Sequence, residues 1–162
     1  MEKTYTLADM VAVRFEATKQ RGKYLAHIVR ELDRAGVKEI DGVLKRAIFE
    51  FGKQKSSDWG SLTPREFVEH LMGEEVARGT MGFTGVGAST DEWAEFTFAR
   101  CPLEDGWREM GLSARERDRL CRIAREHDFG IVDNDPELQL QMQECIGSGD
   151  PTCRLVVTKK TR

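Results

Sequence analysis

Apolar residues recur at steps of three, four and seven through residues 6–35, at Leu7, Val11, Phe15, Leu25, Ile28, Val29 and Leu32. That period predicts a long or kinked amphipathic helix, interrupted at Gly22 and stopped by Gly36. Ile40, Val43, Leu44, Ala47, Ile48 and Phe51 form a second stripe before the polar run Lys53 to Ser57, which predicts a helix over 37–52 and, with the first, a helical hairpin. Thr63 ahead of Pro64, with Glu66 three residues on, is a capping box with proline at the first helical position; it predicts a third helix over 64–73.

The pattern changes near residue 80. Within the glycine-rich stretch 79–90, the segment Gly82 to Gly87 reads as a flexible turn. Residues 92–101 then alternate as a strand does, with Ala94, Phe96 and Phe98 on one face and Trp93, Glu95 and Thr97 on the other. Pro102 closes that strand and a short helical turn follows over 103–110. Ser113 and Glu116 supply a second capping box for a helix over 114–128, whose inner stripe holds Leu120, Ile123, Ala124 and His127 with Cys121 beside them. Leu138, Leu140 and Met142 alternate with Gln139, Gln141 and Gln143, and after the turn Gly147 to Pro151 the run Cys153 to Val157 completes a C-terminal β-hairpin. Helices first, then few strands linked by hairpins, predict an α+β fold: N-terminal helices packed on a small antiparallel sheet. The 162 residues suit one domain, with a helical layer over 1–75 and a mixed part over 80–162.

Composition narrows the function classes. With 40% hydrophobic and 33% charged residues and a net charge of -3, nothing favours nucleic acid or an anionic membrane as partner. No stretch approaches the roughly 20 apolar residues of a membrane span, and the N-terminus lacks the pattern of a secretory signal, so the expectation is a cytoplasmic protein. Binding then falls to a pocket for a small molecule, with the long N-terminal helices as a possible homodimer surface.

In a reducing compartment the four cysteines read as thiols with chemistry or packing roles rather than as disulfides. Cys101 stands at a strand end, Cys121 and the pair His127 and Asp128 share one predicted helix, and Cys145 and Cys153 flank the hairpin turn. A thiolate can be a nucleophile, a histidine can move protons near neutral pH, and a carboxylate can activate water. Arg100 and Arg122 offer forks for a substrate carboxylate, and Asp150 a further polar group for a substrate. Each has a plainer reading: cysteines as small core residues, His127 as a helix-end charge, Asp150 as a turn residue. Dinucleotide and phosphate loops, a His-Glu-x-x-His helix and a Cys-x-x-Cys pair do not occur.

Taken in order, Cys101-Pro102, Leu120-Cys121 six residues before His127-Asp128, Asp135-Pro136-Glu137-Leu138 and Gly149-Asp150-Pro151-Thr152-Cys153 resemble the L-2-amino-thiazoline-4-carboxylic acid hydrolase family over about residues 93–158. The resemblance implies hydrolytic opening of a cyclic, sulfur-containing amidine acid to a carbamoyl-cysteine, on a bacterial route to cysteine. Cys121, Asp128, His127 and Cys101 are then the catalytic candidates, Asp128 and Cys121 foremost. More distantly, the hairpin resembles the four-vinyl-reductase-type small-molecule-binding domains of bacterial sensors. That second likeness implies zinc held by Cys121, Cys145 and Cys153 with Glu144 as fourth ligand, although the sensors' glutamate position is Met142 here. A non-catalytic, sensor-like binding domain is thus the alternative to a hydrolase.

Overall fold

The structure, a computed structural model, describes residues 4–160. Helix α1 (Leu7–Arg34) starts on a capping box the sequence reading passed over: the Asp9 N–H donates to Thr6 Oγ1 at 3.2 Å and the Thr6 N–H donates back to the Asp9 carboxylate at 2.9 Å. Helices α2 (Ile40–Lys55) and α3 (Pro64–Leu71) follow, and the predicted Thr63 and Glu66 box at α3 has both of its bonds.

Within the glycine-rich stretch 79–90, the flexible turn expected at Gly82–Gly87 is instead the cap of helix α4 (Glu75–Met81) and most of strand β1 (Phe83–Ser89). Phe83 and Val86 lie opposite Phe98 and Phe96 of β2 (Trp93–Phe98), with register shifts on both sides of Val86. The glycines that argued for a turn sit where those irregularities bend an edge strand. Helix α5 (Pro102–Glu109) begins with its proline at the first position, and α6 (Ala114–Ala124) begins on the predicted Ser113 and Glu116 box. The helix expected to run to residue 128 breaks at Arg125, and α7 (Glu126–Asp133) takes a new direction. The break lets one sequence serve two cores, because Leu120 and Ile123 of α6 face one cluster and Ile131 and Val132 of α7 face another. Strand β3 (Leu138–Glu144), a 3-10 turn at Ile146–Ser148 and strand β4 (Cys153–Lys159) complete the chain.

The sheet has four antiparallel strands in the order β1-β2-β4-β3. Ala94, Phe96 and Phe98 of β2, Leu155 and Val157 of β4 and Leu138 of β3 form an apolar face. Phe67, Val68 and Met72 from the α3 region and Ile131 and Val132 of α7 cover it. The second cluster joins Ala26 and Val29 of α1 to Trp107 of α5 and to Leu112, Leu120 and Ile123, and the buried Trp107 indole N–H donates to the Gly22 carbonyl at 2.8 Å. Among the described residues no helix is long and apolar enough to cross a membrane.

Two helix pairs meet backbone to backbone. A Cβ added to Gly52 of α2 would lie 2.1 Å from the His127 carbonyl oxygen, and one added to Gly130 of α7 would lie 2.1 Å from the Phe49 carbonyl oxygen. Gly106 of α5 stands in the same relation to α1, 2.8 Å from the Lys19 carbonyl oxygen. Ser56 then locks the α2 and α7 pair, donating to the Ile131 carbonyl at 2.6 Å while Asn134 Nδ2 donates to Ser56 Oγ at 2.9 Å.

Gly52→Ala and Gly130→Ala are expected to lower the urea midpoint, each by an equivalent of about 1–3 kcal/mol of overpacking strain, because rigid backbone blocks the new methyl group. Gly42→Ala in the same helix, whose added Cβ meets only the Arg46 guanidinium at 3.6 Å, should leave the midpoint unchanged or raise it through the roughly 1 kcal/mol helix preference of alanine. A Gly52→Ala protein as stable as the parent would contradict this account of the crossing.

Candidate functional site

Helix α6 and the hairpin turn bring three cysteines together. Cys121 Sγ on α6 lies 3.1 Å from Cys145 Sγ, which follows β3, and Cys153 at the start of β4 accepts from the Ile146 N–H next to Cys145 and acts on the Cys145 thiol. All are thiols, with no disulfide among them. Gly147 makes the approach possible, since a Cβ there would stand 2.4 Å from Cys121 Cβ and 2.6 Å from its sulfur. The turn is braced internally: the Cys145 N–H donates to the Asp150 carboxylate at 2.8 Å, and the Ile146 N–H donates to Cys153 Sγ at 3.3 Å.

Three neighbouring thiols cannot all ionise, since each negative charge opposes the next. Cys145 is the favoured thiolate: hydrogen bonds from Cys121 and Cys153, followed by backbone amides of Ser148 and Gly147, outweigh burial and hold it below the ordinary thiol range. Cys121 and Cys153 are pushed up, each first by its bond to Cys145 and then by burial. Cys101, at the N-cap of α5, belongs to the same electrostatic neighbourhood, its charge acting on both Cys121 and Cys153. Burial raises its thiol to about 11, amides of Glu104 and Leu103 pull the other way, and the charges of Glu104 and Asp128 add to the rise.

The charge of Asp128 also acts on Cys101. Its carboxylate lines a cleft between α3 and the sheet, walled by Phe67 and Leu71, Phe96 and Phe98, and Leu140 and Leu155. The free volume there is about 10 Å³, room for one water molecule. His127 Nδ1 is 3.5 Å from Asp128 Oδ1, and its ring packs 5.5 Å from that of Phe51. His127 therefore sits at the start of α7 against α2, not on the inner stripe of α6 where the sequence period put it.

The other expected residues are committed elsewhere. Arg100 stacks on Phe15, 4.8 Å from the ring centre, and donates to the Gly79 carbonyl. Arg122 pairs with Asp118 one helical turn away at 2.8 Å, and Asp150 has the turn role just described. Glu144 accepts from Thr152 Oγ1 at 2.7 Å and pairs with Arg154 at 3.3 Å. The zinc set implied by the sensor likeness is not built. Among the described residues no group of three or more His, Cys, Asp or Glu side chains has the geometry to hold a metal ion.

The sequence reading missed two groups, the buried Glu104 and the half-buried Arg125. Glu104 is 2% exposed and accepts from Arg117 Nε at 2.7 Å and Arg108 Nε at 3.0 Å. Arg125, at the break between α6 and α7 and three residues before Asp128, has a buried Nε with no hydrogen-bond partner among the described residues. Burial of a carboxylate or guanidinium leaves no signature in the period of a charged helix; the one available signal is Pro102, which fixes the start of α5 and so the inward face that Glu104 shares with Trp107.

Comparison with known proteins follows the same outline. A family model described as L-2-amino-thiazoline-4-carboxylic acid hydrolase matches residues 12–157, and so takes in every residue of the site. No curated protein matches the chain. Among solved structures, trafficking protein particle complex subunit 3 from Naegleria fowleri, covalently bound to palmitic acid, is similar in fold at TM-score 0.50 and 15% identity, over 88% of this chain and 97% of that one. The phenol-responsive sensory domain of the transcription activator PoxR, with phenol, matches at TM-score 0.42 and 16% identity, over 98% of this chain and 78% of that one.

The thiol electrostatics predict an order of alkylation. Limiting iodoacetamide at pH 7 should modify Cys145 first and Cys101 last, and the Cys101 rate should climb only as the pH approaches about 11. Peptide mass mapping of the four sites reads the order; Cys101 modified first would overturn the assignment.

Proposed function

Because the chain belongs to the L-2-amino-thiazoline-4-carboxylic acid hydrolase family, we propose that it hydrolyses a small cyclic amidine acid of the 2-amino-thiazoline-4-carboxylate type. The observation that carries this reading is the family match over residues 12–157, within which a carboxylate, Asp128, faces an apolar cleft. Few polar groups in an apolar wall are what a small-molecule site needs.

In the reaction, water adds to the amidine carbon between nitrogen and ring sulfur, the carbon to sulfur bond breaks, and a carbamoyl-cysteine with a new thiol is left. Asp128 is the group placed to take the proton from the attacking water and return it to the departing sulfur. His127, at 3.5 Å, steadies the carboxylate. Lys55 at the end of α2 lies within electrostatic range of Asp128; although its stem is exposed, desolvation lowers the pKa of its ammonium and the Asp128 charge opposes that. The guanidinium of Arg125, half-buried and with an unpartnered Nε among the described residues, is the candidate for the substrate carboxylate, in place of Arg100 and Arg122, which are engaged with Phe15 and Asp118. Room for a single water is too little for a thiazoline ring, so α3 moves from the sheet as the substrate enters.

The test is incubation of the purified chain with L-2-amino-thiazoline-4-carboxylate, following carbamoyl-cysteine and free thiol. Asp128→Asn should lower kcat by about 100-fold or more, the range of a lost general base, with the melting temperature unchanged. Full activity in that variant would remove Asp128 from the mechanism. Ligand-induced thermal stabilisation of the parent chain with no product would replace the hydrolase by a binding domain.

A further inference from the structure

The hydrolysis proposed above draws on Asp128 and leaves the three-thiol cluster without a task. That cluster is built with some care for proximity. The 3.1 Å between Cys121 and Cys145 must shrink by about 1 Å to become a disulfide bond of about 2.05 Å, a change within reach of a side-chain rotation. The closeness is enforced from both sides. Gly147 has no Cβ to hold α6 off the turn, and the Asp150 and Ile146 bonds keep Cys145 and Cys153 in place on the hairpin. Cys121 and Cys153 are each partly open to solvent, while Cys145 is 5% exposed behind them. A small neutral reagent can reach such a site where a bulky one cannot.

We propose that Cys145, Cys121 and Cys153 form a peroxide-reactive thiol site, in which Cys145 is oxidised first and Cys121 resolves it as an intramolecular disulfide. The Cys145 thiolate attacks one oxygen of hydrogen peroxide; a sulfur to oxygen bond forms, the oxygen to oxygen bond breaks, and the leaving hydroxide takes a proton to become water. Sulfur loses two electrons and the peroxide gains them, giving a sulfenic acid. Cys121 then attacks the Cys145 sulfur as its own proton passes to the departing oxygen, so that the sulfur to sulfur bond forms and a second water leaves. Two thiols and one peroxide thus give one disulfide and two waters. Cys153 accepts from the Ile146 amide and so fixes the backbone beside Cys145; it is a positioning residue and not the resolving one. This site stands apart from the hydrolase reading, because thiol content and peptide masses report on it whether or not any substrate turns over.

The experiment treats the fully reduced chain, without oxygen, with a small excess of hydrogen peroxide, then counts thiols and maps linked peptides with fragmentation. Titratable thiols should fall from four to two, with a Cys121 to Cys145 link that dithiothreitol reverses. Cys121→Ser should leave a sulfenic acid on Cys145 that dimedone traps, Cys145→Ser should lose the fast phase, and Cys153→Ser should keep the disulfide. Gly147→Ala should slow the link at least tenfold; should that variant fail to fold, the serine variants decide the matter. Four thiols intact, a link between Cys145 and Cys153, a link between chains, or consumption of Cys101 ahead of Cys145 would each overturn the proposal.

Discussion

The arrangement depends on the contact between α2 and α7, where two helix backbones touch because neither carries a side chain at the crossing. Gly52 and Gly130 are reciprocal in this: each leaves the space that a carbonyl of the other helix fills. The carbonyl facing Gly52 belongs to His127, so the crossing fixes the backbone of the residue next to Asp128. From that point α7 serves two purposes, with Asp128 toward the cleft and Ile131 and Val132 on the sheet. Dense packing transmits any displacement of α7 to both.

A second constraint is electrostatic. Sulfurs this close share a limited capacity for charge, and the interactions of Cys121 and Cys153 with Cys145, followed by the turn's backbone amides, favour its placement on Cys145. Cys101 is kept neutral by burial and by the neighbouring carboxylates Glu104 and Asp128. The site therefore holds two chemically distinct groups, a thiolate in the hairpin turn and a carboxylate in an apolar cleft, and a protonated thiol, Cys101, that feels charge from both.

Much of this was legible in the chain and some was not, for physical reasons. The boxes at Thr63 and Ser113 state where α3 and α6 begin, since each needs a side chain at a set spacing and the structure supplies both bonds. The alternation of Ala94, Phe96 and Phe98 gives the buried face of β2, because one side of a strand meets a core and the other does not. Strand β1 was hidden because its pairing comes from Phe96 and Phe98 of its partner, not from its own glycine-rich propensity. The break at Arg125 has no glycine or proline to announce it; competition between two apolar clusters for α6 and α7 makes it. At the site, the spacing of the cysteines could not say that Cys121 meets Cys145, whereas Gly147, two residues after Cys145, marks a close approach only once α6 is in view. Arg100 and Arg122 looked available in sequence, and an aromatic ring and an aspartate one turn away had already taken them.

The crossings also tie the beginning of the chain to its end. Helix α1 lies against α5 and helix α2 against α7, so Ala26 and Val29 meet Trp107 and Leu120 only after some eighty intervening residues have been made. During synthesis α1 and α2 leave the ribosome without the helices that cover them, α5 and α7, which come only after residue 100. Such non-local closure slows folding relative to a simple helical bundle of equal length. The nascent chain thus passes through an interval in which apolar stripes of α1 and α2 stand without their later partners, and a nonsense codon before α5 yields a product lacking both the helix that covers α1 and the helix that covers α2.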